Sequence, residues 1–390
     1  MLIFKMPFTF PAPEIIPIPG NSQRWIGLLG RRDEPTDGVA DYCAWLGGAA
    51  AQCGYEFETA RVAWAERHWR DALAELQEKA AAWRGHWVLL QHTTLAWSRR
   101  GFPWQAPRIL SVLQKSGVRC GVVFHDFFPF VGKGLVGRAR EYCQLEVLQR
   151  LYAQADRAIF TIEVEKISWL PSRHEKAVFI PVGANCPEPP PAAQAKTGEA
   201  RTVAVYGVTG GAHIRPEVAD IGFAMKRASR TAGRLRLVVV GRGSKEAEPA
   251  LRQEFSGTNI IVEAPGLMSA EDLSRTLANA DVQLFVRGQI SSRRGSAIAG
   301  IACGLPIVCY AGPETGWPVT EAGIVAVPLG DREALSVALE RVLVDNELRA
   351  SLAERSRRAH GQYFSWRVIA ARYADALGNP GELTARPRNQ

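Results

Sequence analysis

Short apolar runs, each closed by a glycine or a polar loop and followed by a segment with apolar positions at helical spacing, recur through the sequence. Residues 24–30 are the first such run. Residues 31–37 are its polar loop, and Gly38-Val39-Ala40-Asp41-Tyr42 opens a helix reaching about Gln52. The same alternation gives strands at 55–59, 87–91, 120–124, 158–161 and 177–181. Helices fall at 64–82, 109–115, 135–155 and, in a shorter piece, 163–170. Parallel strands need long crossovers, so this order predicts a parallel sheet with helices on its faces.

Residues 187–200 break the pattern with Pro187, Pro189, Pro190, Pro191 and small residues, which reads as a linker. Beyond it the alternation restarts, with strands at 202–206, 235–240, 260–263, 282–286 and 306–310. Its helices are 219–232, 245–255, 270–279, 297–302, 332–344, 346–358 and 366–377. The expected class is therefore α/β, with two doubly wound Rossmann-like domains facing a central cleft. Their limits are 1–186 and 201–362, and the helix and tail at 363–390 are free to return to the first domain. A length of 390 residues fits two domains of ordinary size.

Composition narrows the partners. Hydrophobic residues make up 47% and charged residues 22%, so each half has material for a core. The net charge of +8 suits anionic partners: nucleic acid, a membrane surface or phosphorylated small molecules. No run of five Lys/Arg and no nucleic-acid motif accompanies it, so nucleic acid is not expected. Seven scattered cysteines form neither a C-x-x-C pair nor a Cys/His cluster, which predicts reduced thiols, a cytoplasmic location and no metal site. Lys5 and repeated prolines interrupt the apolar N-terminus before a secretory or membrane-spanning stretch forms. Gly300, Gly304 and Pro306 likewise divide the uncharged stretch 296–312, which reads as a buried helix and strand.

Ligands of such folds bind in loops at the carboxyl ends of strands. Ser291-Ser292-Arg293-Arg294-Gly295-Ser296 directly precedes an apolar helix. Free amides and the dipole at a helix N-terminus favour a diphosphate, and Arg293, Arg294, Gly295 and Ser296 would hold it. The competing reading is a serine-capped helix with exposed arginines. Gly210 and Gly211, in the loop after the strand at 202–206, permit close backbone approach, and Arg242 lies between Gly241 and Gly243 without G-x-G-x-x-G spacing. His125-Asp126 ends a strand and is suited to hydrogen bonding or proton transfer, or to a structural role. Gly38 is a helix-start glycine.

Three runs, Ala264-Pro265-Gly266-Leu267-Met268-Ser269, Leu277-Ala278-Asn279-Ala280-Asp281-Val282 and Ala302-Cys303-Gly304-Leu305-Pro306-Ile307-Val308, resemble the donor domain of glycosyltransferase family 4, the glycosyl transferases group 1 of GT-B fold. The likeness continues to Phe364-Ser365-Trp366 and touches the first half at Gly38, His125-Asp126 and Phe179-Ile180-Pro181-Val182-Gly183. It implies a hexosyltransferase-like enzyme of polysaccharide biosynthesis. The nucleotide-sugar donor would sit on the second domain and a glycan, lipid-linked or small-molecule acceptor on the first. Transfer would retain configuration and need neither metal nor cofactor, the nucleotide-sugar being a substrate. His125 and Asp126 become catalytic candidates beside the reacting sugars, Gly38 approaches the donor phosphate, and Arg215 stands in for a cation on the leaving diphosphate. A lipid-linked acceptor would bring peripheral contact with the inner face of a membrane. One departure is plain: aligned on Ala302-Cys303-Gly304, the family's two glutamates fall on Ser291 and Ala299. A catalytically silent GT-B scaffold that binds a partner protein or glycan is therefore the rival expectation.

Overall fold

A computed structural model describes residues 24–189 and 200–378; the expected N-terminal arm, most of the linker and the tail lie outside the described residues. The first domain runs β1 (Arg24–Leu29), α1 (Gly38–Gln52), β2 (Glu56–Arg61), α2 (Trp69–Ala80), β3 (Trp87–His92), α3 (Ala106–Lys115), β4 (Arg119–Phe124), α4 (Gly134–Gln154), β5 (Arg157–Phe160) and β6 (Ala177–Phe179). These strands form one sheet in the order β2-β1-β3-β4-β5-β6, every pair parallel. All six residues of β3 are buried because helices cover both faces of the sheet, which is why Trp87–Leu90 reads as an unbroken apolar run, and Gln91 and His92 are buried polar residues at its end.

The second domain follows the same plan. Its elements are β7 (Arg201–Tyr206), α5 (Ile214–Ala232), β8 (Leu235–Val240), α6 (Ser244–Glu254), β9 (Ile260–Gly266), α7 (Ala270–Ala278), β10 (Val282–Gln289), α8 (Gly295–Ala302), β11 (Ile307–Ala311), β12 (Ile324–Pro328), α9 (Arg332–Val344), α10 (Asn346–Ala359) and α11 (Trp366–Leu377). The sheet order is β12-β11-β10-β7-β8-β9, again parallel throughout. In each sheet the winding reverses beside the first strand, between β1 and β3 and between β7 and β10. Crevices open at such reversal points, so the chemistry is expected there.

Two elements differ from the sequence expectation. Residues 163–170 hold only a single 3-10 turn, Val164–Lys166. The backbone turns extended at Ile167, and Trp169 packs on Phe124 and Phe160 and donates Nε1–H to Phe127 O at 2.6 Å. Burying that indole outweighs a short helix. The edge strand β12 is the other difference: its apolar run Ile324–Val327 is short, and none of its residues is buried.

The domains are joined by more than the linker. Trp25, Tyr42 and Leu46 of the first domain, Ile180 and Val182 of the crossover, Ile298 of α8 and Tyr373 of α11 belong to one contiguous apolar cluster. Helix α11 lies on the first domain: Tyr373 Oη meets Tyr42 Oη at 2.8 Å, and Trp87 Nε1–H donates to Leu377 O at 2.8 Å.

Candidate functional site

The N-terminus of α8 lies beside the β7/β10 reversal point. Its N-cap residue is Arg294, and no side chain caps it. The serines that could have done so are committed elsewhere. Ser292 donates its hydroxyl to Thr161 O at 2.7 Å and accepts the Val182 amide through its carbonyl at 3.0 Å, both across the domain boundary. Ser291 Oγ faces Glu314 at 3.4 Å. The serine-capped reading of this loop therefore fails, and the first-turn amides of Gly295 and Ser296 are left for another acceptor. Below them, Gln283 Nε2–H donates to Ser296 O at 2.9 Å and anchors the turn.

The neighbouring arginines divide into paired and unpaired. Arg293 makes a bidentate ion pair with Glu314, at 2.7 Å and 3.1 Å, and its guanidinium lies over the Phe127 ring. Arg294 makes no ion pair or hydrogen bond among the described residues, and its Nε is buried without a partner. Burial, then the adjacent Arg293, push its pKa down to about 10. Arg287, near the end of β10, is in the same condition: its Nε is orphaned and burial lowers its pKa. Its guanidinium lies against Gly207, where a Cβ would stand 2.7 Å from Nη1. Two partly buried, partnerless cations beside an uncapped helix N-terminus are electrostatically incomplete without an anion.

The other donor-side candidates sit differently. Glu246 of α6 accepts the Gly211 amide at 3.2 Å, so a carboxylate already occupies the Gly210–Gly211 turn. Arg242 reaches across the cleft to Asp33 Oδ2 at 2.9 Å and Thr36 Oγ1 at 2.8 Å, a bond between domains. Arg215 is exposed on the first turn of α5. Gly38 is the exposed first residue of α1, whose N-cap Asp37 accepts the Ala40 amide at 3.1 Å. A groove of about 460 Å³ between α1 and β2 contains one cation, Arg61, which is tied to Asp37 at 3.1 Å and so offers an anion little.

From the first domain, β4 delivers His125 and Asp126 to the cleft. His125 Nε2 and Gln91 Oε1 are 2.9 Å apart; a carbonyl oxygen only accepts, so Nε2 carries the proton and Nδ1 keeps its lone pair. Burial, then Arg293, lower the His125 pKa to about 4, which keeps the ring neutral at physiological pH. Asp126 accepts the Thr94 amide at 2.9 Å; burial raises its pKa against the opposing pull of that bond and of Arg293 and Arg294. The two predicted catalytic residues and the arginine loop thus converge on one cleft from opposite domains.

His92, beneath them, is fully buried with its pKa pushed down to about 3, chiefly by burial. Both histidines titrate lower in the folded chain than the ordinary value of 6.5, so the unfolded chain binds more protons below that pH. Their contribution to stability is expected to be complete above about pH 6.5 and to drain away as pH falls toward 4. A guanidinium midpoint that does not move between about pH 7 and 5 contradicts this, as does an unchanged slope in His125→Asn.

Three residues of the site carry no sequence signal. Arg287 reads as part of a strand, and Glu314 lies twenty-one residues beyond its partner Arg293. Asn185, on the crossover, hydrogen-bonds Tyr206 Oη through one end of its amide and leaves its buried Oδ1 without a partner. The carboxylate positions expected at 291 and 299 are a buried serine and an alanine inside the core. The nearest carboxylate to Ser291 is supplied by Glu314 instead.

Residues 203–345 match the family described as Glycosyl transferases group 1. No curated protein matches the chain. Solved structures share its fold along most of its length at low identity. Anabaena HepE in complex with UDP and glucose aligns with TM-score 0.63 and 13% identity over 91% of this chain and 99% of its own. WaaG, a glycosyltransferase involved in lipopolysaccharide biosynthesis, gives 0.62 and 14% over 91% and 100%. A glycosyltransferase from Rickettsia africae gives 0.63 and 12% over 92% and 100%. The chain thus has the GT-B fold, and its residues 203–345 are similar to the family described as Glycosyl transferases group 1.

Proposed function

We propose that this glycosyltransferase takes its sugar from a nucleoside diphosphate sugar whose diphosphate lies between Arg287, Arg294 and the first turn of α8. The observation that carries the reading is the pair of partnerless guanidiniums beside an uncapped helix N-terminus. Guanidiniums bind phosphate oxygens through paired donors, and here they would balance the charge that grows on the leaving diphosphate. The reaction needs no cofactor, and we assign the balancing charge to arginine in place of a metal ion. Neutral His125, with Nδ1 free to accept, and Asp126 stand where a glycan or lipid-linked acceptor enters from the first domain. Retention of configuration follows the family resemblance. Free, buried cysteines favour a reducing, cytoplasmic setting.

The absence of carboxylates at 291 and 299 favours one rival, a silent scaffold on the same fold. Titration calorimetry with UDP, GDP, ADP and their common sugar esters separates the two. At least one diphosphate is expected to bind, and a sugar ester of that base to be consumed when acceptor is supplied. Silence of all of them overturns the donor site. Binding without turnover of any sugar ester selects the scaffold.

A further inference from the structure

Asn185, on the crossover between the domains, uses only half of its amide. Its Nδ2–H donates to Tyr206 Oη at 2.5 Å, while Oδ1 is buried and has no partner among the described residues. Turned the other way, the amide would accept from the phenol and leave its amine bare, so one end is unsatisfied in either orientation. A buried amide end without a hydrogen bond is costly, and native structures rarely keep one without a use.

The surroundings say what would complete it. Tyr206 closes β7 at the reversal point, and its ring fills the space where a Cβ on Gly241 would stand 2.7 Å away. The next residue, Gly207, lies against the Arg287 guanidinium. Two residues before Asn185, Gly183 O lies 4.0 Å from where a Cβ on Gly295, the first residue of α8, would stand. Asn185 is thus held between the two features assigned to the diphosphate, Arg287 and the first turn of α8. A phosphate oxygen only accepts and cannot serve a bare Oδ1, whereas a hydroxyl donates and accepts and completes the amide in either orientation. The hydroxyls nearest a bound diphosphate belong to the two sugars it joins, the ribose and the transferred sugar. We propose that Asn185, oriented by Tyr206, binds a sugar hydroxyl of the donor beside the diphosphate. This rests on the donor site proposed above and adds to it a residue that reads the sugar.

Calorimetry on the full chain compares Asn185→Ala with the parent. The ligands are whichever of UDP, GDP and ADP binds, its 2′-deoxy and 3′-deoxy analogues, and its glucose, galactose and N-acetylglucosamine esters. If the hydroxyl is the ribose's, the diphosphate is expected to bind the variant about tenfold less tightly, and one deoxy analogue to bind both chains equally. If it belongs to the transferred sugar, the diphosphate and its deoxy analogues should bind both chains alike, and a sugar ester about tenfold less tightly to the variant. Tyr206→Phe keeps the ring and releases the amide, so it should show the same selectivity with a smaller loss, about threefold. A loss equal for every ligand overturns the inference, because it makes Asn185 a support of the fold or of the phosphates alone. No loss for any ligand overturns it as well. Silence of all three diphosphates on the parent overturns the donor site, and this inference with it, before any variant is compared.

Discussion

A chain carrying Arg287→Ala and Arg294→Ala together is expected to lose nucleoside diphosphate affinity by roughly two to four orders of magnitude while melting no lower than the parent. A hydrogen bond to a charged group contributes about 1.5–3 kcal/mol, so two such contacts amount to roughly 3–6 kcal/mol, and each 1.4 kcal/mol is about tenfold. The stability half of the prediction has a separate cause. Neither guanidinium has a hydrogen-bond or ion-pair partner among the described residues, and both are partly desolvated. Removing them takes away a burial cost and breaks no bond, so the melting temperature should hold or rise. Arginine to lysine at both sites keeps the charge but loses the fork, and should recover only part of the affinity. Unchanged binding in the double alanine variant, measured by calorimetry, would mean that the donor diphosphate lies elsewhere.

Gly183→Val should damage the architecture where the two domains and α11 meet. A Cβ at 183 would stand 2.5 Å from the Trp366 ring, which is itself fixed by its Nε1–H to Ala184 O at 2.6 Å and an edge contact with Tyr42. On the other side the neighbouring Val182 amide is bonded to Ser292 O at 3.0 Å. Held on both sides, the segment has no direction in which to relax. Overpacking of this kind costs about 1–3 kcal/mol, and the contact with Trp366 is the one that must give. The expected result is a lower melting temperature with earlier proteolytic release of α11, and weakened donor binding because the 291–294 loop loses its support. A variant that melts with the parent would show that Trp366 moves aside freely.

The sequence made the fold largely legible because parallel strands covered on both faces must be apolar throughout. Trp87–Leu90 of β3 and Leu237–Val240 of β8 are such runs. β12, the edge strand, departs from the rule the other way: its run Ile324–Val327 is apolar although none of its residues is buried. The site was legible in place but not in detail. Arg293 and Arg294 look equivalent side by side, yet the first is neutralised by Glu314, brought in from beyond β11, and the second is not. Arg242 has the glycine neighbours of a phosphate loop, but its partners Asp33 and Thr36 stand more than two hundred positions earlier. Gly211 looked open to a ligand until Glu246 folded over it. In each case the deciding partner is set by packing between loops distant in sequence, which no local pattern encodes. Arg287 is the same lesson reversed: a strand residue becomes a ligand group only because its strand ends at the reversal point.

The return of α11 to the first domain also bears on synthesis. The face made by Trp25, Tyr42 and Trp87 is finished by residues 366–377, which leave the ribosome only after the whole sheet of the second domain. The first domain therefore emerges with an uncovered apolar wall and must keep it from other chains until residues 366–377 have followed. Its folding closes only when α11 returns past the second domain, and a nascent chain stalled before Trp366 should bind a holding chaperone that a chain extended through Leu377 does not.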